Sequence, residues 1–333
     1  MILSKLVRVK SVEDKNEVGI EVEVEGDNLP EAPVGWRRIE DGSLRGESAE
    51  YIFKRPVNRR LATTYLTRLS NAYIENGTQV LDSARQSVHV HLNVQEMEMN
   101  KVFNLITLFL IFEESLVKWC GEYREGNLFC LRSSDAEDLI ASLEMASESV
   151  LQFPILQRDS NRYAAINVSS MFLHGSLEFR SMRGTDDFDL IKKWMNVLLK
   201  LKDFANKILD PSILVSMISA ENPHELVAKI FKEDADIITA DDEWIEHMYT
   251  GLRRIQVMAY LGNWEEYAVE LQDDIIGRRN IYEDFNPDVD GRIYDEEENV
   301  WVLPEEFIEH YGLEDEYYVT SVNNYINRNM RGM

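Results

Sequence analysis

The sequence predicts an α+β fold: a mostly antiparallel sheet with helices packed on one side. Three observations carry this. Several short segments alternate apolar and polar residues, as two-faced strands do. These segments do not alternate strictly with helical ones, as the strands of a parallel sheet would. The run Leu105-Ile106-Thr107-Leu108-Phe109-Leu110-Ile111-Phe112 is apolar all round, which suits a helix at the centre of a core.

Taken in order, Lys5–Lys10 alternates with basic residues and lacks the continuous apolar run of a signal peptide, so it reads as a strand. Further strands are expected at Val18–Val24, Trp36–Glu40, Glu50–Lys54, Ser87–Val94 and Leu177–Met182, with Asp41-Gly42-Ser43 as a turn. Helical periodicity runs from Asn58 to about Glu75, with Gly77 as a stop, and from Glu96 to about Trp119. Ser134–Val150 opens with Ser-Asp-Ala-Glu cap chemistry, and a fourth helix runs from Asp186 to about Ile208. After Pro211 the character changes to acidic loops and short amphipathic helices at His224–Phe231, Asp242–Tyr260 and Asn263–Ile276. The expected division is therefore 1–208 as the α+β domain and 209–333 as an acidic, mainly helical C-terminal region.

The chain has 333 residues, 44% of them hydrophobic, enough for a sizeable core. No apolar run is long enough to span a bilayer. Two cysteines, Cys120 and Cys130, are too few for a disulfide framework, and a reduced, cytoplasmic protein is expected. Net charge is −25 and unevenly placed: residues 206–333 carry 10 Lys/Arg against 29 Asp/Glu, whereas 1–205 carry 25 against 31. The acidic part repels nucleic acid and anionic membrane, so neither is expected as a direct partner, while a basic partner would suit it. An anionic nucleotide fits only the first two thirds.

Gly19-Ile20-Glu21-Val22-Glu23-Val24-Glu25-Gly26 sets three carboxylates on one face of a strand. Like charges side by side repel, and nothing in the segment neutralises them. A divalent cation would, and a solvated acidic stripe is the plain alternative. Ser87-Val88-His89-Val90-His91-Leu92-Asn93-Val94 places His89 and His91 on one face, as a surface pair, as metal ligands or as donors to a phosphoryl oxygen. Glu178 and Arg180 share a face in Leu177–Met182. They either pair with each other, or point together into a cleft with Glu holding a cation and Arg a phosphate oxygen. Gly184-Thr185 then opens a helix, whose start attracts anions.

Gly19-x-Glu21-x-Glu23, then His89-x-His91, then Glu178-x-Arg180, in that order, resembles the glutamine synthetase-like carboxylate–amine ligases. The nearest likeness is to their branch of compact amidoligases, often encoded in phage and bacterial genomes and related to glutamate–cysteine ligases. Trp36-x-x-x-Glu40-Asp41-Gly42-Ser43-Leu44 followed by Glu50, and Arg162-Tyr163-x-Ala165-x-Asn167, resemble that branch as well. The resemblance covers residues 15–200. It implies a curved sheet, and ATP- and Mg²⁺-dependent formation of an amide or isopeptide bond through an acyl phosphate, with Mn²⁺ as a substitute ion. It further implies Glu21, Glu23, Glu50 and Glu178 as metal ligands and His89 at the metal–phosphate site with His91 beside it. Arg180 would stabilise the transferring phosphoryl group. Arg183, Arg162 and Arg124 would contact phosphate or substrate carboxylate, and Asn167 would belong to the cofactor site. Substrates would be small-molecule or peptide carboxylates and amines, in the cytoplasm of a bacterium or of a phage host. Two other readings stay open: a catalytically idle relative serving as a binding or structural module, and a phosphotransferase on the same site. Glu25 departs from the branch's pattern.

Asn286-x-Asp288-x-Asp290-Gly291-x-Ile293-x-x-x-Glu297 has the spacing of a calcium loop. Pro287 and the strand-like Val300-Trp301-Val302 argue against it and for a hairpin across an acidic turn. Cys120 and Cys130 read as buried thiols.

Overall fold

The alternation of Ile20, Val22 and Val24 with acids produces β1 (Val18–Asp27), whose apolar side chains are fully buried. The computed structural model describes residues 1–9, 11–13 and 16–268 (only the backbone at 137), together with the backbone of 293–295 and 300–302. Within it, β2 (Trp36–Ile39), β3 (Ser48–Phe53), β4 (Gln79–Val80), β5 (Ser87–Asn93), β6 (Ile166–Asn167) and β7 (Ser176–Arg183) join β1. They form one seven-stranded sheet in the order β2-β3-β1-β5-β7-β6, with β4 beside the end of β1, and every pairing is antiparallel. The fold class is therefore α+β, as the two-faced strands predict.

Helices cover the apolar face. These are α1 (Arg59–Asn76), capped by the Asn58 side chain and stopped by Gly77, α2 (Met99–Cys120) and α5 (Phe188–Ala205). Tyr73 of α1 lies 5.8 Å from Tyr51 of β3 and 5.1 Å from Phe188 of α5, and Phe109 of α2 lies 5.1 Å from Phe179 of β7. α2 carries the all-round apolar run and is buried on nearly every side. Such a helix needs neighbours all round, and those beyond the sheet come from later in the chain. They are α6 (Pro211–Ala220), α7 (Pro223–Phe231), the single turn α8 (Asp236–Thr239), α9 (Trp244–Leu261) and α10 (Trp264–Ala268). Phe231 packs 5.1 Å from Phe112 and Trp264 packs 5.1 Å from Phe103. The Met1 ammonium donates to the Tyr267 carbonyl at 3.0 Å. The compact unit accordingly runs Met1–Glu270, and the chain does not divide at 208. The helices beyond 208 supply the side of the core that α2 cannot bury against the sheet.

Three local expectations are corrected. The N-terminal segment is not a strand: Leu3–Lys5 form a 3-10 turn that buries Leu3 and pairs its amide with Met97. Helix α3 (Glu137–Glu148) starts later than expected. The Ser133 amide and hydroxyl both donate to the buried Glu113 carboxylate, which pulls the preceding residues toward α2 instead of into a helix. Helix α5 starts at Phe188, and its first amides are taken by the Asp187 carboxylate at 3.0 Å, so that helix start is closed to an outside anion. One more short helix, α4 (Ser170–His174), precedes β7.

In the second unit, β8 (Ile293–Asp295) pairs antiparallel with β9 (Val300–Val302), the pairing that a hairpin across the acidic turn requires. Residues 286–292 and 296–299 lie outside the described residues, as does the rest of the acidic C-terminal region beyond 268. No helix among the described residues is long and apolar enough to cross a membrane.

Gly251 explains how closely α9 approaches α2. A Cβ there would stand 2.6 Å from the carbonyl oxygens of both Leu110 and Ile111. Gly251→Val should therefore force the two helices apart and destabilise the unit by about 1–3 kcal/mol. Urea denaturation checks this, and an unchanged midpoint would contradict the close approach.

Candidate active site

The acidic face of β1 looks away from the helices, and the register decides what meets there. Across β1, Glu23 lies opposite Glu50 of β3 and Ser87 of β5, and Glu21 lies opposite His89. Across β5, His91 lies opposite Glu178, which lies opposite Asn167 of β6. Four neighbouring strands thus bring Glu50, Glu23, Glu21, His89, His91 and Glu178 onto one face. The acids are not a solvated stripe: Glu23, Glu50 and Glu178 are all buried.

β7 carries a β-bulge at this point. Val88 pairs with Met182 and Val90 with Phe179, so His89 faces two residues, Arg180 and Ser181. Strict alternation from Glu178 would turn Arg183 to the helical face. The extra residue instead turns Met182 into the core and sets Arg183 opposite Ser87.

The His89 ring stands between acids. Its Nδ1 lies 3.1 Å from Glu21 Oε2, 3.3 Å from Glu178 Oε1 and 3.8 Å from Glu23 Oε1, and its Nε2 lies 2.8 Å from Ser87 Oγ. The Ser87 hydroxyl donates to Glu23 Oε2. His91 Nδ1 meets Ser176 Oγ at 3.1 Å, while its buried Nε2 makes no hydrogen bond among the described residues and stands 3.4 Å from Glu21 Oε1. Glu178 accepts from Asn167 Nδ2 at 2.6 Å and from Arg180 Nη1, and Arg180 Nε donates to the Phe129 carbonyl at 3.2 Å. Gly19 lies opposite His91, where an added Cβ would stand 3.4 Å from the His91 Cβ, so the glycine keeps that side of the ring uncovered.

Burial alone would push the Glu21 carboxyl up, but the close contacts and charges of His89 and His91 hold it well below the usual range. Glu178 is also held low, against its burial, by His91, Arg180 and His89. His91 is raised, because Glu21 outweighs the burial that favours the neutral ring. Glu50 receives no such help. Burial, with the charges of Glu21, Glu23 and Asp41, pushes it up to about 8, and only Arg37 opposes this.

Donor atoms of Glu21, His91 and Glu178 all lie within 4.8 Å of one another, a group able to hold a metal ion. The orphaned His91 Nε2 fits that use. A ring whose Nδ1 is engaged by a serine hydroxyl can present the other nitrogen's lone pair to a cation. His91, rather than His89, completes this trio.

Not every expected residue joins. Arg124 is buried with its guanidinium spent on main-chain carbonyls, so it is not a phosphate contact. Arg183 Nη1 donates to the Cys120 carbonyl at 3.0 Å. Arg162 is exposed and lies over its neighbour Tyr163, apart from the cluster's contacts. Asn167 orients Glu178 while its Oδ1 accepts from Ser169, which makes it a support. Glu25 accepts from the Arg45 amide at 2.8 Å and holds a loop. Cys120 and Cys130 are buried free thiols. Sequence reading missed Ser87 and Ser176, although each sits two residues before a site residue on its strand, and it missed Arg37, on β2 opposite Ile52.

No known protein-family profile matches the chain, and no curated protein sequence matches it.

Glu50 gives a pH signature. Its value rises from an ordinary 4.5 to about 8 on folding, so the folded state binds the proton more tightly. The resulting penalty is absent at low pH, grows as pH rises through the unfolded value, and is complete above the folded one. Glu50→Gln should raise the Tm at about pH 9 and leave it unchanged at about pH 4. An equal gain at both pH values would show that burial of Glu50's charge is not the cause.

Proposed function

We propose that the chain is an ATP- and Mg²⁺-dependent carboxylate–amine ligase with a glutamine synthetase-like catalytic sheet, making an amide or isopeptide bond by way of an acyl phosphate. The observation that carries this reading is the meeting of Glu21, His91 and Glu178 on one sheet face, beside Glu23, Glu50 and Arg180. The comparatively balanced charge of residues 1–205 supports an anionic nucleotide there and not in the acidic remainder.

Glu21 and Glu178, both held ionised, with Nε2 of His91 beside them, would hold the cation. The carboxylates suit Mg²⁺, and the single nitrogen donor admits Mn²⁺. A bound divalent ion supplies neutralisation of phosphoryl oxygens. Arg180 is fixed by Glu178 and by the Phe129 carbonyl, and its Nη2 makes no hydrogen bond to the described residues. That nitrogen is the donor free to meet a phosphoryl oxygen, with no reorganisation needed at the moment of reaction. His89, pinned between Ser87 and the acids, keeps Glu21 and Glu178 from separating and offers a proton-carrying ring within reach of the same oxygens. The abundance of acid in the chain favours a cationic acceptor, such as a polyamine or a lysine side chain, through steering that fades with salt.

Phosphate release should require ATP, Mg²⁺, a carboxylate and an amine together, and Glu178→Gln should lower it by about 100-fold or more while the chain stays folded. Turnover without an amine would indicate a phosphotransferase. The absence of any Mg²⁺-dependent thermal shift with nucleotide would indicate an idle binding module and overturn the proposal.

A further inference from the structure

Arg124 sits on a single turn, Glu122–Arg124, between α2 and α3, and is 1% exposed. Buried cations are ordinarily matched with carboxylates, because taking a charge out of water is costly. Among the described residues Arg124 forms no ion pair. Its Nε donates to the Ser181 carbonyl at 3.1 Å, its Nη2 to the Arg180 carbonyl at 2.7 Å, and its Nη1 to the Gln86 carbonyl at 3.2 Å. Arg180 and Ser181 are the two bulge residues that face His89, and Gln86 precedes the first residue of β5. The fork therefore ties both carbonyls of the bulge to the entry of the strand that carries both histidines. The same segment supplies the Phe129 carbonyl that receives Arg180 Nε.

We propose that Arg124 is a positioning residue: its buried guanidinium clamps the bulge in β7 and so aims Arg180 at the acid–imidazole cluster. The inference rests on the ligase reading for its consequence, but not for its geometry. A bulge redirects a side chain by changing the twist of its strand, and one that is not held can migrate along the ladder. Migration by one position would exchange the faces of Arg180 and its neighbours. A lysine at 124 would keep the charge but offer a point donor in place of the planar fork, and so could not hold three carbonyls in fixed directions. An apolar residue would leave all three without their partner.

The test reads Arg180 directly. In ¹⁵N-labelled protein the Arg180 Nε–H resonance is identified by its loss in Arg180→Lys. In Arg124→Lys, folded by circular dichroism, that resonance should shift or broaden, and ATP turnover should fall by about 100-fold. Adding Arg124→Lys to Arg180→Ala should change turnover by less than about twofold, because the two changes remove one function. A merely structural residue would leave the resonance in place, or would make the two penalties multiply, and either result overturns the inference. If neither Arg124→Lys nor Arg124→Gln folds, Arg124 is a general staple and the inference is overturned too. If the wild-type chain turns over no nucleotide, the ligase reading fails and the Arg180 resonance alone decides the clamp.

Discussion

Carboxylates crowded on one sheet face repel, and the site is organised around what offsets that repulsion. Two like charges about 4 Å apart oppose each other by about 4 kcal/mol at an effective dielectric of about 20. Glu21 and Glu178 bring donor oxygens within 4.8 Å of each other. His89 bridges them and His91 flanks them, while Arg180 pairs with Glu178. The carboxylates served by these groups are held ionised, and the one left outside, Glu50, is driven toward its neutral form. Strand register thus settles protonation as well as position.

Much of this was legible in the chain. Period-two alternation alone puts Glu21 with Glu23, and His89 with His91, on common faces, and the structure keeps both pairs. The helices α1 and α2 and the five long strands fall close to where the apolar pattern sets them. What alternation cannot express is a register shift. Arg183 comes to stand opposite Ser87, with its guanidinium on the Cys120 carbonyl, only because one extra residue enters β7 after Glu178, and no turn residue or glycine marks that place. Residue type also misleads when burial is unknown. Arg124 has the chemistry of a phosphate ligand, but its nitrogens face carbonyl oxygens inside the protein. The break expected at Pro211 followed a real change of composition, from mixed strands to acidic helices. Composition reports exposed faces, whereas the cohesion of α2 with α9 depends on buried ones such as Met248, Leu252 and Ile255.

The support around the cluster is built from uncharged residues in the same rows. Ser87 orders Glu23 and His89, Ser176 orders His91, and Asn167 orders Glu178. Ser176 takes only Nδ1 of His91, so the atoms turned toward the cluster without a hydrogen bond among the described residues are His91 Nε2, 3.4 Å from Glu21 Oε1, and Arg180 Nη2, the ones a cation and an anion would take.

The central claim is that these side chains cage a divalent cation beneath a polyphosphate. Its most direct test is diffraction from crystals grown with Mn²⁺ and a non-hydrolysable ATP analogue, recorded for the anomalous signal of manganese. The account predicts a peak bounded by Glu21, His91 and Glu178, with phosphate oxygens between it and Arg180. Nucleotide and metal bound elsewhere, or a cluster that stays closed on itself at saturating concentrations of both, would contradict it.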